Sequence, residues 1–147
     1  MNLIREVSLE TRLERRKATR KRLIDATIAL LAVKGFQQTS IDEISQKAGF
    51  SKGAFYFHFE SKEAMITAMV EYLGELGLLW PPFPKFCPEL VMTDAQIEAV
   101  VFEIWIEARR KPEIRKELLN FRKYFGPVGL ATELGRVVQH QIMGVGV

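Results

Sequence analysis

The chain has 147 residues, 48% of them hydrophobic and 27% charged, with a formal net charge of +3. That length and balance suit one compact core, or a small head joined to a modest second unit. A single cysteine, Cys87, excludes an intramolecular disulfide framework. The opening residues MNLIREVSLETRLERR lack the continuous apolar run of a secretory signal, and the longest apolar stretch, Leu76 to Phe83, is far short of a membrane span. A soluble cytoplasmic protein is expected.

Charge is unevenly spread. Residues 1–62 hold 12 Lys/Arg against 7 Asp/Glu, a surplus of five, whereas residues 63–147 hold 9 against 11, a deficit of two. A dense basic cluster, Arg15, Arg16, Lys17, Arg20, Lys21 and Arg22, dominates the first part. Alone it reads as a solvated helix face; beside a DNA-reading motif it suits the sequence-independent attraction of phosphates.

In chain order, residues 1–14 are expected to form a flexible arm. A long helix is predicted from about Leu13 to Lys34, with Leu23, Ala26, Leu30 and Val33 on one face and Gly35 ending it. Ser40 followed by Glu43 is a capping box that opens a short helix with Ile41, Ile44 and Ala48 on its apolar face. Gly49 supplies the positive φ of the turn, and Phe50 behind it is expected to plug into the core. Ser51 caps a second short helix, and Ser61 caps a third that runs to about Leu79 with Met65, Ile66, Met69, Val70 and Leu73 apolar. Two short helices joined by a tight turn form a helix-turn-helix, whose second helix lies in the major groove. WPPFPKFCP at 80–88 marks a boundary, because four prolines forbid a continuous helix. Thr93 and Gln96 repeat the capping-box logic for a helix to Lys111, and Pro112 opens another with Ile114, Leu118, Leu119 and Phe121. Beyond Gly126 the chain is rich in Gly and Val, without a clear cap. No period-two alternation appears, so the fold class is all-α.

On the predicted reading helix, Ser51, Lys52, Gly53 and Ala54 occupy the N-terminal end that approaches base edges. Lys52 can donate to guanine O6 and N7, Ala54 can touch a thymine methyl, and Gly53 lets the backbone come close. Tyr56, His58 and Lys62 are expected to hold phosphates, with Thr39 and Ser40 adding a contact at the first helix of the pair. Phe55 and Phe59 are assigned to the core, and Phe57 to the sugar-phosphate backbone. Two histidines, His58 and His140, and one cysteine offer no metal-ligand spacing, no activated nucleophile and no paired carboxylates. No enzyme activity, metal or cofactor is expected.

The pattern Ile44-Ser45-x-x-Ala48-Gly49-Phe50-Ser51-x-Gly53-x-Phe55-Tyr56-x-His58-Phe59-x-Ser61-Lys62-Glu63, extended backward through Ala26, Leu30 and Gly35-Phe36, resembles the DNA-binding domain of the TetR family of bacterial transcriptional regulators. The resemblance covers roughly residues 16–75 and is dense enough to be specific. It implies a helix-turn-helix domain over 15–61, a connecting helix over 62–79, and a helical effector-binding and dimerisation domain over 80–147. Glu103 to Arg110 resembles a helix of that second domain more loosely. Family members usually carry a longer C-terminal domain, so this one is expected to be reduced or incomplete. The implied function is a ligand-responsive repressor that binds a palindromic DNA operator as a homodimer, cytoplasmic and nucleoid-associated when bound. Trp80, Phe83, Phe102, Trp105, Phe121 and Tyr124 would line the site of a small apolar effector, although each also reads as a core residue. Two alternatives stand beside it: a helical protein-interaction module without DNA binding, and a DNA-binding regulator without ligand control.

Overall fold

The computed structural model describes residues 2–79 and 92–125. Six helices are present among them: α1 (Asn2–Lys34), α2 (Ile41–Ala48), α3 (Lys52–His58), α4 (Lys62–Glu75), α5 (Asp94–Arg110) and α6 (Pro112–Phe125). The all-α class holds. The proline segment at 80–88 and the Gly/Val-rich stretch after Gly126 lie outside the described residues.

Caps set most of the helix boundaries. The Ser40 hydroxyl accepts from the Glu43 N–H at 3.2 Å, while the Glu43 carboxylate accepts from the Ser40 N–H at 3.0 Å. Thr93 and Gln96 form the same reciprocal pair at the start of α5. Ser51 and Ser61 accept from the N–H groups of Ala54 and Ala64. Gly49, at φ +81°, closes α2: its N–H donates to Gln46, and that of Phe50 donates to Ser45. This double bond is the Schellman arrangement, which satisfies the last carbonyls of a helix.

Two boundaries differ from the sequence reading. α1 continues upward to Asn2, where an arm is expected. No glycine or proline interrupts residues 2–34, and Arg, Glu and Leu favour helix even without packing. α4 stops at Glu75 instead of reaching Leu79, because Gly77 at φ +71° repeats the Schellman turn and sends Leu78 back into the core.

One apolar cluster runs through the described residues. Leu23, Ile28 and Leu31 of α1 meet Ile44 of α2, Phe55 of α3 and Met65 and Met69 of α4, and the same core continues into Ile104 and Trp105 of α5 and Leu118 of α6. Val33 is the exception to the predicted α1 face: it is 80% exposed, and Leu31 lies in the core instead. The buried residues of α1 are Leu23, Ile24, Ala26, Thr27, Ile28 and Leu31, so Leu23 and Ala26 of the predicted face are in the core and Leu30 packs against it. α5 packs on α1, and α6 packs on α4 and α5, so the helices before and after residues 80–91 share one interior.

Candidate nucleic-acid interface

α3 is held from behind and open in front. Phe55 is fully buried, with the Phe59 ring 5.6 Å away and the Tyr56 ring edge-on at 5.6 Å. On the outer side, Ser51, Lys52 and Gly53 are exposed, Tyr56 is 50% exposed and Phe57 65%. Ala54 is half-buried. The structure thus brings Ser51, Lys52, Gly53 and Tyr56 together on one open surface. Lys52 leans toward Asp42 of α2, 3.4 Å away, but both side chains are largely solvated, so this pair is weak and easily exchanged.

Gly53 needs an explanation, because glycine costs about 1 kcal/mol relative to Ala inside a helix. A Cβ placed there would meet only the Ser51 hydroxyl, at an ordinary 3.7 Å. The fold does not require a glycine at this position. What a bare backbone permits here is close approach from outside.

Arginines of α1 frame α3. The Arg16 guanidinium lies 5.3 Å from the Phe57 ring centre, Arg20 5.2 Å from Phe59, and Arg22 4.7 Å from Phe50. These are cation–π contacts, and they leave guanidinium edges free to donate. Phe50 is accordingly only partly buried, covered by Arg22. His58 sits between Phe57 and Phe59, and burial, then the charges of Arg20 and Arg16, hold its imidazole below the usual range. Sequence reasoning treated the basic cluster as a diffuse phosphate attractor and missed this pairing. The signal was present: an FYFHF run at 55–59 facing a helix whose arginines recur every four residues.

Two residues expected to hold phosphates have their polar groups turned inward. Thr39 is buried, and its hydroxyl donates to the Gly35 carbonyl at 2.7 Å. The Lys62 ammonium donates to the carbonyls of Phe36 at 3.0 Å and Thr39 at 2.9 Å, and lies 4.3 Å from the Phe36 ring centre. Burial pushes its pKa down. Ser40 stays exposed, with its hydroxyl engaged in the capping box.

Lys62 belongs to a junction around Phe36. The Lys111 ammonium also lies against the Phe36 ring, 4.1 Å from its centre, so two cations contact one ring. The Phe36 N–H donates to the Glu103 carboxylate at 3.0 Å, and the Gln37 amide donates to Glu107 at 3.0 Å. Lys111 donates to Glu63 at 2.8 Å, holding that carboxyl below its usual range, and lies 3.5 Å from the buried Glu107. Gly35 makes room for this: its φ is +76°, and a Cβ there would fall 2.8 Å from the Glu103 carboxylate. The end of α1, the start of α4 and Glu103 and Glu107 of α5 meet at this point.

Of the six residues proposed for an effector site, Trp105 is buried in the core and Phe102 is 37% exposed, both on α5. Trp80 and Phe83 lie outside the described residues, as do the side chains of Phe121 and Tyr124.

The fold and the open face of α3 define a helix-turn-helix protein of all-α architecture. Residues 23–69 match the family model for bacterial regulatory proteins of the tetR family. The matched stretch runs from Leu23 of α1 through α2 and α3 to Met69 of α4. The HTH-type transcriptional regulator YerO of Bacillus subtilis is 51% identical over 53 residues, which are 36% of this chain and 18% of that protein. The transposon Tn10 TetC protein of Escherichia coli is 46% identical over 52 residues, 35% of this chain and 26% of that protein. These matches therefore span about a quarter or less of the length of the curated relatives. Salmonella enterica GusR aligns over 86% of this chain and 81% of its own, with a TM-score of 0.56 and 26% identity. Among the described residues no helix is long and apolar enough to cross a membrane.

Proposed function

We propose that the protein is a sequence-specific DNA-binding transcriptional repressor that acts as a homodimer on a palindromic operator. The observation that carries this reading is the open N-terminal end of α3, with a glycine the fold does not need, inside a domain of a DNA-binding family. Ser51 to Ala54 meet base edges, Lys52 and Ala54 setting preference, while Tyr56, Phe57, His58 and Ser40 lie along the phosphates. A single reading helix per chain contacts half a site, so two copies related by a twofold axis match a palindrome.

Control by a small apolar effector in the C-terminal region is part of the same reading and rests on resemblance to the family. An effector acts only if it binds one of two conformations better, here the one whose reading heads are misplaced. The Phe36 junction supports the coupling, because it ties α5 to both ends of the motif.

Selection of duplexes from a random-sequence pool, followed by affinity measurement against salt, tests the DNA reading. The expected result is an enriched inverted repeat and a steep linear fall of log affinity with log salt. A chain that binds no duplex, or binds all equally at every salt, ends it. Release of the selected duplex by members of a panel of small apolar compounds tests the effector arm.

A further inference from the structure

The N-terminal half of α1 carries a surface that the core does not use. Residues 2–18 are exposed throughout, including Leu3 at 75%. Contacts lower on the helix fix which way its flanks point. Arg16 and Arg20 lie over Phe57 and Phe59, at α3 and its end, whereas Lys21 lies 5.7 Å from the ring of Tyr72 in α4. One flank of α1 therefore faces the α3 side and another the α4 side.

At 3.6 residues per turn, Arg12 sits one turn above Arg16 and Arg5 two further turns up, both on the α3 flank. Glu6, Glu10 and Glu14 climb the other flank, the one that continues into Lys17 and Lys21. The signs are thus segregated. This segregation is unfavourable in an isolated helix: Arg12/Arg16, Arg16/Arg20, Glu6/Glu10 and Glu10/Glu14 are all like-charged pairs at i,i+4, where opposite charges stabilise and like charges oppose. A polyanion along the arginine flank removes half of that penalty, and the flank lies on the side of the reading helix.

The geometry points to the arginine flank of α1, centred on Arg5, Arg12 and Arg16, as a second contact surface for duplex DNA, holding phosphates beyond the bases that α3 meets. It rests on the DNA reading proposed above and lengthens the footprint of each reading head by up to about 20 Å, or about six base pairs. The contact is sequence-independent, since it engages phosphates alone.

The test uses the full chain and a duplex it selects from a random pool, carrying long flanks on both sides. Arg5→Ala/Arg12→Ala changes only exposed residues far from the core and keeps helix propensity. It is expected to reduce the log–log salt slope by about 1.8 per protomer, about 3.6 for the bound dimer, and weaken binding at least about tenfold at low salt. Hydroxyl-radical protection of the flanks should disappear while the central protection remains. Glu6→Gln/Glu10→Gln, on the opposite flank, should leave the slope and the footprint as they are. If the unaltered chain binds but the arginine variant keeps its slope and flanking protection, this surface is not a DNA contact and the α3 reading stands alone. If the unaltered chain binds no duplex, both fail together. If the arginine variant changes the oligomeric state without DNA, the flank faces a second copy instead, which also overturns the inference.

Discussion

Phe57 and Phe36 both sit under cationic side chains, yet the two contacts do opposite things. Phe57 is 65% exposed and takes one guanidinium, so a face of the ring and the edges of Arg16 stay open. Phe36 is 2% exposed and takes two ammonium groups, of which Lys62 also donates to two carbonyls and Lys111 to a carboxylate. The same attraction works as a surface latch in one place and as a core clamp in the other. What decides is whether the cation's other donors already have partners.

The comparison predicts unequal responses to truncation. Phe36→Ala should lose about 3–5 kcal/mol of folding stability, because it empties a buried site and leaves two ammonium groups without their ring. Phe57→Ala should change stability by less than about 1 kcal/mol. Chemical denaturation of both variants reads the difference, and similar losses would remove the distinction.

Lys62 and Tyr56 sharpen it further. Lys62→Met should cost about 2 kcal/mol, since two carbonyls lose a charged donor, while the salt slope of duplex binding stays where it was. A slope lower by about 1.8 for the bound dimer would return Lys62 to the phosphates. Tyr56→Ala should do the reverse, weakening binding about tenfold on every duplex with little change in melting temperature.

The smallest effect lies in pH. His58 has a lowered pKa in the folded state, through burial and then Arg20 and Arg16. The unfolded chain, titrating near about 6.5, therefore takes up the proton first. Stability should fall as pH drops from about 6.5 through the folded value, and His58→Asn should flatten that fall. Glu43 and Glu63, both shifted downward, act in a separate window below about 4.3. Melting temperatures at about pH 7.5 and 5.5 isolate the histidine, and equal slopes for both proteins would discount its burial.

Much of this was legible in the sequence because it is local. A cap is a hydroxyl and an N–H three residues apart, so Ser40, Ser51, Ser61 and Thr93 announce their helices without help from the rest of the chain. Gly49 does the same for the turn. The direction of Lys62 and Thr39 was not legible, since it depends on Phe36 and on Glu103 and Glu107 of α5 with Lys111 just behind it, which arrive some 40 or more positions later. Val33 was misplaced for a related reason: several stripes of α1 are apolar, and only packing against α2, α4 and α5 selects one. The helical state of residues 2–14 was hidden because propensity alone supports it, with no buried residue to set a period.

That continuous α1 has a mechanical consequence. Its lower half is gripped by the core and its last residues abut the Phe36 junction, while the upper half stands clear of it as an exposed rod. From Leu23 to Asn2 the rod is about 30 Å long, so a tilt of about 5° at the gripped end sweeps its tip through nearly 3 Å (roughly). Any tilt of α1 at the gripped end is thereby enlarged at the far end, where Arg5 and Arg12 are.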